Sequence, residues 1–153
     1  DGVTPFIFAF VPVSWELELK GKGRTIEQGP NYRWQFMVSY PEGVSEEEGD
    51  AWLLGQVLPA FQARGEVRRI LTSRIYREVN DFMFHRVVEL WFEGPDQWYQ
   101  CCVVDGKDIP KPSWAQRDAF PYLKSYHNIS GIFLADNVTS DNYTMYRGFQ
   151  TLR

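Results

Sequence analysis

The sequence predicts an α+β fold: a ferredoxin-like split βαβ arrangement with an antiparallel sheet and an extra N-terminal strand. Three observations point there. From residue 32 onward the chain reads strand, helix, strand, strand, helix, strand. The first of those helices carries a capped start. The strands repeat apolar residues at period two, and "FHRVVELWFEG", from Phe84 to Gly94, has large apolar groups on both faces.

"FIFAFVPVSWELEL" alternates well enough to form a long strand, and the turn "KGKGR" ends it. "GPN" punctuates before a second strand, "YRWQFMVSY". "PEGVSEEEGDAWLLGQVLPAFQARG" is the clearest helix. Ser45 and Glu48 form a capping box, with Glu46 and Glu47 at the positive end of the helix dipole. Leu54, Leu58 and Phe61 share one face, and Gly65 is a natural stop. Pro59 removes one backbone bond and crowds the Gly55 carbonyl, which predicts a kink. "EVRRILTSRIYRE" and "FMFHRVVELWFE" follow as strands. "GPDQWYQCCVV" reads as a short helix, "WAQRDAFPYL" as another helical piece and "NISGIFLAD" as the last strand.

The length of 153 residues and the 16% aromatic content suit a single domain, 1–153, with its own core. It divides into an N-terminal strand extension 1–31, a core 32–137 and a polar, aromatic tail 138–153 without clear period. The net charge is −4 and no basic face builds up, so nucleic acid is not expected as a partner. "PFIFAFVPV" is too short for a membrane span and lacks a basic leader. Cys101 and Cys102 are neighbours, where a disulfide is strained, so a reducing, cytoplasmic setting is expected. The sequons at Asn128, Asn137 and Asn142 pull weakly the other way.

Strict alternation puts Met83, His85, Val87, Glu89 and Trp91 on one face of their strand. Phe84, Arg86, Val88, Leu90 and Phe92 take the other. Helices cover one face only, so the second calls for a cover from outside the monomer. His85 and Glu89 stand roughly 13 Å apart at ~3.3 Å per residue, too far to bond but able to flank a ligand. His85 is either a general acid/base or a satisfied structural histidine; Glu89 is either catalytic or paired with an arginine. His127 opens the last strand, at a cavity mouth or in an exposed loop. Arg74 and Tyr76 share a face with Ile70 and Thr72, and would orient an anionic or phenolic substrate or make cross-strand pairs. Trp34, Trp52 and Trp91 read as core, or as the aromatic walls an aromatic ligand needs.

"SEEEGDAWLLGQVLPAFQARGEVRRILTSRIY" followed by "VVELWFEGPDQWYQ" resembles the EthD-like family of dimeric α+β barrel proteins. The shared features are the capped acidic helix start, the tryptophan, the mid-helix proline, "VRR" opening a strand, and "ELWF" running into an acidic helix start. "SGIFLAD" fits the family's last strand, so the resemblance spans roughly Tyr32 to Asn137. It implies a ferredoxin-like monomer whose sheet packs on that of a twin, a homodimer. It also implies a pocket between sheet and helices for small hydrophobic, often aromatic, molecules. The chain departs from the pattern where the family often has histidine before the mid-helix proline: here the stretch is "GQVLP", with Gln56 nearest.

The resulting expectation is a cofactor-independent lyase, dehydratase, isomerase or cyclase acting on an aromatic or polyketide-like substrate through histidine acid/base catalysis. The alternatives are a cofactor-free oxygenase and a non-catalytic ligand-binding or accessory protein. Its site would hold His85, His127 and Glu89 as catalytic groups, with Arg74, Tyr76, Gln56, Trp52 and Trp91 around the substrate. His85 would lie in a pocket bounded by Trp91, Tyr76 and the Pro59 helix, with Gln56 or the Gly55 carbonyl facing in. No zinc signature, dinucleotide fingerprint, phosphate loop or nucleophile elbow is present, so neither metal nor cofactor is expected.

Overall fold

The computed structural model describes residues 15–25, 27–75 and 83–135. Five strands make one sheet: β1 (Leu17–Leu19), β2 (Tyr32–Val38), β3 (Val67–Arg74), β4 (Arg86–Phe92) and β5 (Ile129–Ala135). Their order across the sheet is β1-β3-β4-β2-β5, with every neighbouring pair antiparallel. Without β1, the order β3-β4-β2-β5 is that of the ferredoxin-like fold. The N-terminal segment adds β1 beside β3, pairing Leu17 with Thr72 and Leu19 with Ile70. The described part of the predicted N-terminal strand forms β1 only from Leu17, with Trp15 and Glu16 outside it; its residues 6–14, the tail 138–153, Tyr76, Asn137 and Asn142 lie outside the described residues.

Helix α1 (Glu46–Trp52) starts as its sequence requires: the Ser45 hydroxyl accepts from the Glu48 amide at 3.1 Å, with three glutamates in the first turn. The disruption expected at Pro59 takes the form of a π-helical turn, Leu53–Val57, ahead of a second α segment, α2 (Leu58–Gln62). The Leu58 amide reaches back to the Leu53 carbonyl, and Pro59, which has no N–H to continue the ladder, follows in the first turn of α2. Helix α3 (Pro95–Tyr99) runs into a second π-helical turn, Gln100–Val104.

The stretch "WAQRDAFPYL" is not helical. Pro121 interrupts the donor ladder, and Tyr122 has a left-handed φ of 64°, so the segment folds as successive turns. Its aromatic groups still enter the core: Tyr122 is buried and its hydroxyl donates to the Ile109 carbonyl at 2.6 Å.

Cross-strand partners share a face, so the pairs Trp34–Leu90, Phe36–Val88 and Val38–Arg86 identify the helix-covered side. There they join Ile70, Phe92, Trp52, Leu53, Val57, Leu58 and Phe61 in the main core. The face expected to carry His85 toward the helices is thus the other one. Glu89, Trp91, Val87 and Met37 point away from the helices, where Met37, Phe84 and Val87 pack with Trp15 and Ile75. Trp91 is half-buried between arginines rather than part of the main core, with Arg33 and Arg69 over its ring at 5.1 and 4.8 Å.

Candidate functional site

At the Val38–Arg86 end of the sheet the alternation breaks. The His85 amide donates to the Val38 carbonyl at 2.7 Å, although Arg86 is the residue opposite Val38. Two successive residues thus face one, the arrangement a β-bulge produces. Phe84 stays on the outer face with Val87, while both His85 and Arg86 reach the carboxylate of Asp50 on α1. His85 and Glu89 consequently sit on opposite sides of the sheet and do not flank a common space.

Asp50 is the centre of this cluster. Its Oδ2 lies 3.0 Å from His85 Nε2 and accepts from Arg86 Nη2 at 3.1 Å. Its Oδ1 accepts from the Tyr40 hydroxyl at 2.7 Å and from Arg86 Nε at 3.3 Å. Arg86, only 1% exposed, also donates to the Thr72 hydroxyl at 3.3 Å and to Glu16 at 3.4 Å. A buried guanidinium survives because four oxygens surround it. On the other side of the imidazole, Nδ1 faces Glu46 Oε2 at 3.1 Å, and the Glu46 side chain is 56% exposed.

The electrostatics follow from these contacts. Burial pushes the Asp50 carboxyl up, but hydrogen bonds from Arg86, His85 and Tyr40 outweigh it and hold the group below the usual aspartate value. Burial, reinforced by the bond to Asp50, raises the Tyr40 phenol, so it remains a donor. The desolvation that disfavours charge on Arg86 is overcome by Asp50 and then Glu16. With Asp50 ionised and fixed, the Nε2–H tautomer is the one it selects for a neutral imidazole, leaving Nδ1 as the accepting nitrogen. Protonated, the ring donates to both carboxylates.

The other expected site residues are dispersed. Glu89 is buried on the outer face, accepting from Gln35 Nε2 and Trp91 Nε1 at 2.8 Å each, with Arg33 at 3.6 Å. Trp91 therefore does not border His85. Trp52 is buried on the helix side, where its indole N–H donates to the Pro110 carbonyl at 2.8 Å and its ring meets Trp114 edge-on. Trp114 in turn contacts the Tyr40 ring. Gln56 and Gly55 are exposed, on the side of the helix turned from the core, so neither faces a cavity beneath it. His127 is exposed in the turn before β5. Arg74 lies opposite Arg86 in the ladder and is exposed. Tyr76 lies outside the described residues.

Asp50, Tyr40 and Arg86 were missed as site candidates. A signal existed for Asp50: it falls four residues before Leu54 and eight before Leu58, on the helix's apolar stripe. A carboxylate on a buried stripe needs partners. Its position inside the charge run "EEEGD" disguised it as part of the solvated helix start.

A small cavity of about 50 Å³ opens between α2 and the second π-helical turn, bounded by Phe61, Arg64, Cys101 and Asp105 among others. It shares no lining residue with the His85 cluster and is sized for water rather than an organic substrate. Among the described residues no group of three or more histidine, cysteine or acidic side chains could hold a metal ion. No helix there is long and apolar enough to cross a membrane.

No protein-family model and no curated protein matches the sequence. Among solved structures, an EthD family protein from Bacillus halodurans C-125 is similar, with a TM-score of 0.47 and 13% identity over 70% of this chain and 97% of that one. The ferredoxin-like α+β fold stands on the strand order itself.

Proposed function

We propose that this small α+β protein is a cofactor-independent enzyme that moves a proton on a hydrophobic small molecule, with His85 as the acid/base. One observation carries the reading: a buried imidazole is held on one nitrogen by a buried carboxylate and meets an exposed carboxylate on the other. Asp50 orients the ring and stabilises the imidazolium that forms when Nδ1 accepts a proton. Glu46, on its exposed side chain, can swing into solvent and yield the Nδ1 side to a substrate. Arg86 is committed to Asp50, so it tunes the dyad rather than binding substrate. Arg74, exposed opposite Arg86, is the cation suited to a developing enolate or phenolate. Tyr40 and Trp114 supply aromatic surface beside the ring. Lyase, isomerase and cyclase reactions that pass through an enolate begin with such a proton transfer.

The test is solvent deuterium incorporation next to the carbonyl in a panel of aromatic ketones and polyketide-like diketones. The wild-type protein should catalyse exchange at one position of one class, and His85→Gln should slow it by roughly two to four orders of magnitude. Exchange no faster than buffer across the panel, or unaffected by His85→Gln, would remove the enzymatic reading. The second reading, a ligand-binding or accessory protein of the same fold, is favoured by one fact: both imidazole nitrogens already have partners. Under it, a panel compound binds without exchange, and His85→Gln alters folding more than affinity.

A further inference from the structure

We propose that Tyr40 is a positioning residue for His85, acting through Asp50, and that Gly49 is the seat that admits it. The proposal deepens the reading of His85 and Asp50 as an acid–base pair and rests on it. Tyr40 follows β2 and projects back over α1, where its hydroxyl donates to Asp50 Oδ1 at 2.7 Å. The other oxygen, Oδ2, is the one that meets His85 Nε2 at 3.0 Å. A carboxylate pivots about one bond, so pinning Oδ1 from a separate segment fixes the direction of Oδ2. Arg86 also holds the carboxylate, through both oxygens at 3.1 and 3.3 Å, and Tyr40 adds a shorter bond to Oδ1 from a separate segment.

The seat is specific. A Cβ at Gly49 would stand 2.2 Å from Cγ and Cδ2 of Tyr40, far inside any real contact. Glycine is a poor helix former, yet here it occupies the interior of α1, next to the residue that Tyr40 must reach. The ring is confined on its other sides by Trp114, with centroids 5.7 Å apart, and by the His85 ring at 5.9 Å. Its burial keeps the phenol protonated, so Tyr40 acts as a donor alone. The glycine, the tyrosine and the aspartate form one device: absence of a side chain at 49 lets the ring lie flat, and the flat ring delivers its hydroxyl to 50.

The experiment uses the full-length chain labelled with ¹⁵N. It has two histidines, and the exposed His127 serves as an internal reference for His85. In the wild-type protein the Nε2–H of His85 should be protected from exchange with water by Asp50. Tyr40→Phe keeps the ring and its packing and removes only the donor. It should speed exchange of that proton roughly tenfold, leaving the His127 ring and the β2 and β4 amides unchanged. Gly49→Ala, which displaces the ring, should give the same increase, and the double substitution no more than either alone. An unchanged Nε2–H in Tyr40→Phe overturns the proposal. So does a matching acceleration of the sheet amides, which would make Tyr40 merely structural. Faster Nε2–H exchange in a protein with no deuterium-transfer activity upholds the positioning role while removing the enzymatic reading, so the two failures are distinct.

Discussion

Asp50→Asn is the most informative single change, because one carboxylate serves three partners, two of them buried and the third half-buried. In the wild type Asp50 accepts from Tyr40 at 2.7 Å, from Arg86 at 3.1 and 3.3 Å, and meets His85 at 3.0 Å. Asparagine keeps the shape but has no charge, and one of its two ends becomes a donor turned toward Arg86 or the Tyr40 hydroxyl. Breaking a buried ion pair by removing one partner costs about 3–5 kcal/mol. Two facts reduce that figure here. Arg86 retains the Thr72 hydroxyl and Glu16, and His85 retains Glu46. The expected loss is therefore about 2–4 kcal/mol, a large share of the ~5–15 kcal/mol total stability of a domain. Urea unfolding followed by tryptophan fluorescence reads it directly. With a slope of about 2 kcal/mol/M, the midpoint should fall by about 1–2 M at constant slope. The control is Asp50→Leu with Arg86→Met, which removes both charges and leaves apolar groups of similar size. That double variant should lose less than the sum of its single changes, with a coupling of at least about 1 kcal/mol. A midpoint shift under about 0.3 M for Asp50→Asn, or strict additivity in the cycle, would refute the view of Asp50 as the keystone of this cluster.

The same carboxylate sets an acid limb. Its folded value lies below 3.8, so its contribution is complete above that pH and lost as pH falls through the folded value; Asp50→Asn should flatten the stability curve below pH 3.8, and an identical limb in the variant would contradict this. Burial raises both cysteine thiols, so Cys101 and Cys102 should resist a thiol reagent in the native protein and both react once urea unfolds it; prompt native labelling would count against the packing of the second π-helical turn. Leu58, fully buried under the sheet, should cost about 2–5 kcal/mol as Leu58→Ala in the same urea assay, whereas Gln56→Ala should change stability by under about 0.5 kcal/mol. Finally, we propose a homodimer through the sheet face turned from the helices, which sedimentation should reveal at micromolar concentration; a monomer at every concentration accessible would dismiss it.

Local chemistry is legible in one dimension, and much of this chain was read from it. Ser45 capping Glu48, the proline-interrupted helix and strand runs at 32–40, 66–78, 82–93 and 128–136 follow from residue types and their periods alone, as does the ferredoxin-like order they imply; the strands themselves occupy 32–38, 67–74, 86–92 and 129–135. A helix–sheet core follows too, because the apolar stripe of Leu58 and Phe61 must be covered. Which face of β4 met them was decided only by packing. Both faces of "FHRVVELWF" are apolar enough to be buried, so period two gives two equivalent answers, and a choice between them reverses every side chain at once. The bulge at His85 and Arg86 was invisible for a related reason: it costs the sequence no special residue, and it arises where β4 must turn a histidine toward α1. Asp50 and Tyr40 were out of reach because their meaning is relational. An aspartate in an acidic helix start is unremarkable until folding brings it under Tyr40 and beside a buried arginine. Only the tertiary contact turns a charge run into the anchor of a site.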